Sequence, residues 1–178
     1  RVDEDFRSFY WMHKYREPSL FPNDATKPSS PYTNIQLLGR DIPLTFYSPG
    51  YSLLFYIMHS MVGPVALSKI LALFLLPVSI GYCYAFGMLL RDRGTGILLA
   101  GGFVALNLAS PSSLSVLPGL QRSFALPLLI AFIYYLHRGH FTGALVVSLL
   151  SAAIFAPVFL LCLATWVLSE LRFDRWGK

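Results

Sequence analysis

Three consecutive carboxylates, Asp3, Glu4 and Asp5, open the chain and lead into an aromatic, basic stretch ending at Tyr15. A carboxylate in such surroundings can act as a general base, or it can hold Mg²⁺ or Mn²⁺, which favour oxygen ligands. If a metal binds, Asp3 or Glu4 is its candidate ligand. Read as a helix over residues 3–15, the stretch sets Asp3, Arg7 and Lys14 on one stripe and Phe6, Phe9, Tyr10 and His13 on another. Such a helix suits a membrane surface, with its rings at headgroup depth and its charges in water. The plainer reading of the triplet is a helix start whose acids complement the macrodipole. Further along, Arg122 heads an apolar run, Leu120-Gln-Arg-Ser-Phe-Ala-Leu-Pro-Leu128. Its guanidinium is either an interfacial anchor or a clamp for phosphate or carboxylate, whose geometry arginine matches with paired bonds. Arg7, Lys14 and Lys69 can add to its field.

The remaining polar groups point to structure more than to chemistry. His13, His59, His137 and His140 have no metal-ligand spacing, and their sites read as solvated or interfacial. Cys83 and Cys162 fall inside apolar runs and read as small buried hydrophobes, with no disulfide implied. Asn107 reads as a hydrogen-bond partner for a neighbouring helix. Gly94, Gly96, Gly101 and Gly102 lack a preceding strand or a phosphate-loop lysine, so they read as sites of close helix approach. No nucleophile elbow, dinucleotide fingerprint or internal repeat is present.

The elements that must position these groups follow from composition. Of 178 residues, 55% are apolar and 13% charged, against about 25% charged in a soluble domain, and mean hydropathy is +0.57. Residues 1–48 carry six Lys/Arg and six Asp/Glu, whereas residues 49–178 carry eight and three. The net charge of +5 therefore belongs to the apolar part, where the basic residues sit in short loops rather than in a patch that would bind nucleic acid. The composition predicts an all-α, polytopic helical membrane bundle.

Two regions emerge: interfacial helices and a long loop over 1–64, and a transmembrane region over 65–178. Residues 18–48, broken by Pro18, Pro22, Pro28, Pro31 and Pro43, read as one connecting loop. Ser48-Pro49 predicts a helix start with Ser48 as cap, and the helix runs to Met61 before Gly63-Pro64. Spans are expected at about 65–90, kinked at Pro77, then 94–110 and 121–136. The last run, 141–171, is one long span or two half-helices meeting near Ala156-Pro157. The hairpin sets Arg91, Arg93, Arg138 and the basic tail on one cytoplasmic side, which the positive-inside tendency favours. Residues 1–64 and Arg122 then face outside together.

Taken in order, the acidic triplet, the phrases Trp11-Met12 and Leu20-Phe21-Pro22-Asn23-Asp24, the helix start Tyr47-Ser-Pro-Gly-Tyr51 and the short spans with a proline hairpin resemble a known arrangement. It is similar to the N-terminal part of bacterial polytopic proteins with the GT-C glycosyltransferase architecture. The resemblance covers the whole chain and implies a fragment that begins after a first transmembrane helix, with flanking helices of the same chain as partners. It implies transfer of a sugar from a polyprenyl-phosphate carrier in the bacterial inner membrane. Asp3, Glu4 or Asp5 would act as base or metal ligand, and Arg122, with Arg7 and Lys14, would meet the carrier phosphate. Two other classes compete: a non-enzymatic membrane subunit or assembly factor that binds partner helices or lipids, and a transporter fragment broken at Pro157. The transporter reading asks for ionisable groups at mid-membrane, and the spans carry none.

Overall fold

A computed structural model describes residues 12–13, 17, 32–37, 40–45, 48–109 and 115–170 of the chain. The 18–48 region is not loop throughout. Strands β1 (Tyr32–Leu37) and β2 (Arg40–Thr45) form an antiparallel hairpin that pairs Tyr32 with Thr45 and Leu37 with Arg40. Pro43 sits in β2 opposite Asn34, a position tolerated because a two-stranded ribbon is all edge. The all-α expectation holds for the bundle, beside which the one two-stranded hairpin is a small addition.

Helix α1 (Pro49–Met58) lies beside β2 and starts at its proline, whose fixed φ suits the first helical position. Ser48 precedes it but makes no side-chain cap bond. Instead the Ser52 hydroxyl donates to the Ser48 carbonyl at 3.1 Å. The helix also ends earlier than expected, at Met58 rather than Met61. Helix α2 (Pro64–Leu90) continues through Pro77 and is long and apolar enough to cross a membrane. Helix α3 (Arg93–Ala109) follows a tight turn. Asp92 accepts from the Thr95 amide at 2.8 Å and the Thr95 hydroxyl at 2.9 Å, satisfying donors at the start of α3. These bonds hold the Asp92 carboxyl below its ordinary pKa.

A 3₁₀ turn, Gln121–Phe124, leads into α4 (Ala125–His137), then α5 (Phe141–Ile154) and α6 (Ala156–Glu170). The break between α5 and α6 is at Phe155, one residue before Ala156-Pro157, where φ is −149° and ψ is 88°. Cys162 lies against Ser148 and Ser151, so the chain doubles back and α6 runs antiparallel to α5. Helices α3 to α6 have 17, 13, 14 and 15 residues. At ~1.5 Å per residue none of these four reaches the ~30 Å of a bilayer core.

The helix faces are mixed: Phe103, Phe132 and Val158 are buried, yet many other large apolar side chains lie outside. Small and polar side chains are buried: Ser68, Ser79, Cys83, Gly87, Ser148 and Ser151. Large apolar ones face outward, with Leu73 74% and Leu98 75% exposed, as are Phe74, Leu106, Leu108 and Leu160. Small buried residues let backbones approach closely. A Cβ on Gly87 would lie 2.5 Å from the Gly96 Cα, and one on Gly96 would lie 2.8 Å from the Tyr84 carbonyl oxygen. The glycine run of α3 thus divides, because Gly101 and Gly102 face open space and take no part in the α2–α3 contact.

The division predicts opposite outcomes for one substitution. Gly87→Ala must push α2 from α3 and is expected to cost about 1–3 kcal/mol, as overpacking does. Gly101→Ala meets nothing and is expected to be neutral or stabilising by up to about 1 kcal/mol through helix propensity. Thermal unfolding of the purified chain in detergent compares the two.

Candidate functional site

One end of the bundle is closed by the segment 115–124, which passes over the start of α2 and the end of α3. Its anchor is Asn107, 5% exposed near the end of α3. The Asn107 Oδ1 accepts from the Val116 amide at 2.9 Å and from the Ser115 hydroxyl at 3.3 Å, while its Nδ2 donates to the Phe103 carbonyl at 2.9 Å. Asn107 therefore bonds a loop and its own helix rather than a neighbouring helix. Ser123 continues the network: its hydroxyl donates to the Ser115 carbonyl at 2.9 Å and accepts from the Leu120 amide at 3.1 Å. In a buried loop these bonds are obligatory, since an unpaired peptide group there costs about 1–3 kcal/mol.

The segment then crosses α2 backbone to backbone. Gly119 has a φ of +64°, which favours glycine, and a Cβ there would fall 1.9 Å from the Ser68 carbonyl oxygen. The Tyr51 hydroxyl, reaching from α1, donates to the Gly119 carbonyl at 3.0 Å. Burial pushes the Tyr51 phenol well above its ordinary pKa. Around this crossing Met12, Tyr51, Phe55, Leu67, Leu120 and Phe124 form an apolar cluster, with the Tyr51 ring 4.7 Å from Phe55 and 6.1 Å, edge-on, from Phe124. Gly50 abuts Ala153, which ties α1 to the far end of α5.

Arg122 stands in the 3₁₀ turn between two members of that cluster, Leu120 and Phe124. Its Nε is buried with no hydrogen-bond partner among the described residues. Lys69, exposed near the start of α2, shares this end. Asp3, Glu4, Asp5, Arg7 and Lys14 lie outside the described residues, as does most of the 3–15 helix. Met12 and His13 form a short 3₁₀ turn, and Met12, 3% exposed, packs into the cluster at the capped end. Beside it is a small dimple, lined by Met12, Phe55, His59, Val62 and Pro64, with room for little more than one water.

Among the described residues no group of three or more His, Cys, Asp or Glu side chains could hold a metal ion. The histidines do local work: His59 stacks on Tyr56 with centroids 5.3 Å apart and its Nδ1 bonds the Tyr56 carbonyl, and His140 caps α5 by accepting from the Gly143 amide at 3.0 Å. Sequence reasoning missed Tyr51, Ser115, Gly119 and Ser123. Only the Pro118-Gly119 pair signalled a turn, and nothing in spacing indicated that Tyr51 reaches it.

Two substitutions test the closure. Asn107→Leu keeps the γ-branched shape but strands the Val116 amide, and should lower unfolding free energy by about 1–3 kcal/mol. Because the Tyr51 pKa is raised on folding, its stabilising effect is complete below the phenol's ordinary pKa of about 10 and is lost as pH rises further. A thermal-melt series above pH 10 should therefore show an alkaline loss of stability that is smaller in Tyr51→Phe.

No protein-family model, curated protein or solved structure matches this chain.

Proposed function

We propose that the chain is the membrane-embedded N-terminal part of a GT-C-like transferase that moves a sugar from a polyprenyl-phosphate carrier. In this reading it sits in a bacterial inner membrane with residues 1–64 outside. The membrane part is supported by one observation: many large apolar side chains face outward while serines and glycines are buried between helices, an arrangement favoured where the solvent is lipid. Exposed apolar residues this numerous mark an interaction surface such as one for lipid. The catalytic part rests on the resemblance, supported by the docking of Met12 at the end that carries Arg122. The chemistry asks for a carboxylate that accepts the acceptor hydroxyl's proton, with Mg²⁺ or Mn²⁺ as an alternative partner, and a cation that stabilises the phosphate leaving group.

A non-enzymatic membrane subunit is the second reading. It is favoured by the way Asn107, Ser115, Ser123 and Tyr51 direct their hydrogen bonds within the chain.

Sugar transfer in the full-length protein separates the two. Asp3→Asn with Glu4→Gln should abolish transfer from a polyprenyl-phosphate donor while carbonate-resistant membrane insertion persists, and unchanged transfer would leave the subunit reading. Arg122→Ala should cut transfer by about 10²-fold or more, as loss of one charge-stabilising donor does, with partial recovery in Arg122→Lys. A single cysteine in the 172–178 tail should label only from the cytoplasmic side.

A further inference from the structure

The end of the bundle opposite Arg122 carries a second cationic site. Arg91, Arg93 and Arg138 cluster there, at the α2–α3 turn and the α4–α5 turn, all exposed. Among the side chains described there, Asp92 is the carboxylate, and the Thr95 amide and hydroxyl occupy one of its oxygens. Its other oxygen is 4.0 Å from the Arg91 Nε, a loose exposed pair worth little. The arginines' charge is thus scarcely cancelled.

Beneath this rim lies a belt of tyrosines. The Tyr82 and Tyr135 hydroxyls are 2.9 Å apart, and the Tyr82 ring meets Tyr134 and Tyr135 edge-on at 5.7 and 5.9 Å. Arg138 is tied to the belt: its Nη1 donates to the Tyr134 hydroxyl at 2.7 Å and its guanidinium carbon stands 5.9 Å from that ring's centroid. One N–H is used, and among the described residues no other hydrogen bond engages the guanidinium fork. Inward from the belt the helix surfaces are apolar, with Leu73, Phe74, Val78 and Leu149 exposed, and an apolar rim of Met88, Leu89, Leu90 and Phe141 is exposed beside the arginines. Cation, amphipathic ring and apolar side chain therefore succeed one another along the bundle axis, which is the order of a bilayer from headgroup phosphate through interface to acyl chain.

We infer that this end is a docking surface for the phosphates of anionic phospholipid headgroups, with Arg138, oriented by Tyr134, at its centre. A nucleic acid would meet the same charge but would leave the apolar rim in water. The surface rests on the membrane reading and is independent of sugar transfer.

The test uses the full chain in detergent and compares retention of phosphatidylglycerol with phosphatidylcholine by native mass spectrometry at low ionic strength. Phosphatidylglycerol should be held at least about tenfold more strongly, with roughly fivefold lost for each arginine neutralised, the effect of one basic residue at an anionic surface. The triple variant Arg91→Gln, Arg93→Gln, Arg138→Gln should lose the preference, and the triple lysine variant should keep much of it. Inorganic phosphate should displace the lipid no better than chloride at equal ionic strength. Equal retention of both lipids by the wild type would overturn the proposal. So would a preference that survives in the glutamine variant, disappears in the lysine variant or yields selectively to free phosphate. Carbonate extraction of the wild type, run in parallel, tests the membrane reading by itself.

Discussion

Gly119 crosses Ser68 so closely that no side chain fits between the two backbones, and the capped end of the bundle is arranged around that crossing. The contact holds segment 115–124 against the start of α2, and the Tyr51 hydroxyl secures it from above by bonding the Gly119 carbonyl. Once the segment lies this deep its amides cannot reach water, so Asn107 and Ser123 must serve them. The same crossing determines where Arg122 stands, between Leu120 and Phe124 and over the apolar cluster that Met12 completes.

Below that cap, close contacts between small residues join the apolar clusters around Phe132 and Phe103 in holding the bundle. Helices α2 and α3 meet at Gly87 and Gly96, and α5 and α6 meet at Ser148, Ser151 and Cys162. Small residues give close approach and dispersion contact, and serine hydroxyls return to their own helix, as Ser79 does to Leu75 and Ser151 to Val147. The two ends then differ in chemistry. One is closed by hydrogen-bonded backbone and a single arginine, while the other is open, cationic and underlain by tyrosine.

The helical part was largely legible. Proline at 49 and 64, the basic turns at 91–93 and 138, and the apolar runs between them marked the helices within a few residues. The hairpin at 32–45 was hidden because prolines made its region look like loop, although Pro43 needs only an outer edge. Ser48 looked like a cap by type, yet the start of α1 takes Ser52 as the partner of the Ser48 carbonyl. Of the candidate site residues, Arg122 was found by its position at the head of an apolar run. Its missing partner and its apolar neighbours became visible only in three dimensions.

What the sequence determined by itself was the class of object: apolar runs of helix length, few charges, and basic residues gathered in turns, all of which follow from local composition and period. Tertiary structure alone decided which small residues touch. Gly87 pairs with Gly96 while Gly101 and Gly102 face outward, although all four look alike in the chain. It also decided that Tyr51 bonds a carbonyl 68 residues away and that Asn107 serves a loop instead of a helix. The reason is physical. Period and composition are properties of neighbours along the chain, whereas close backbone contact and hydrogen-bond satisfaction depend on which segments burial forces together.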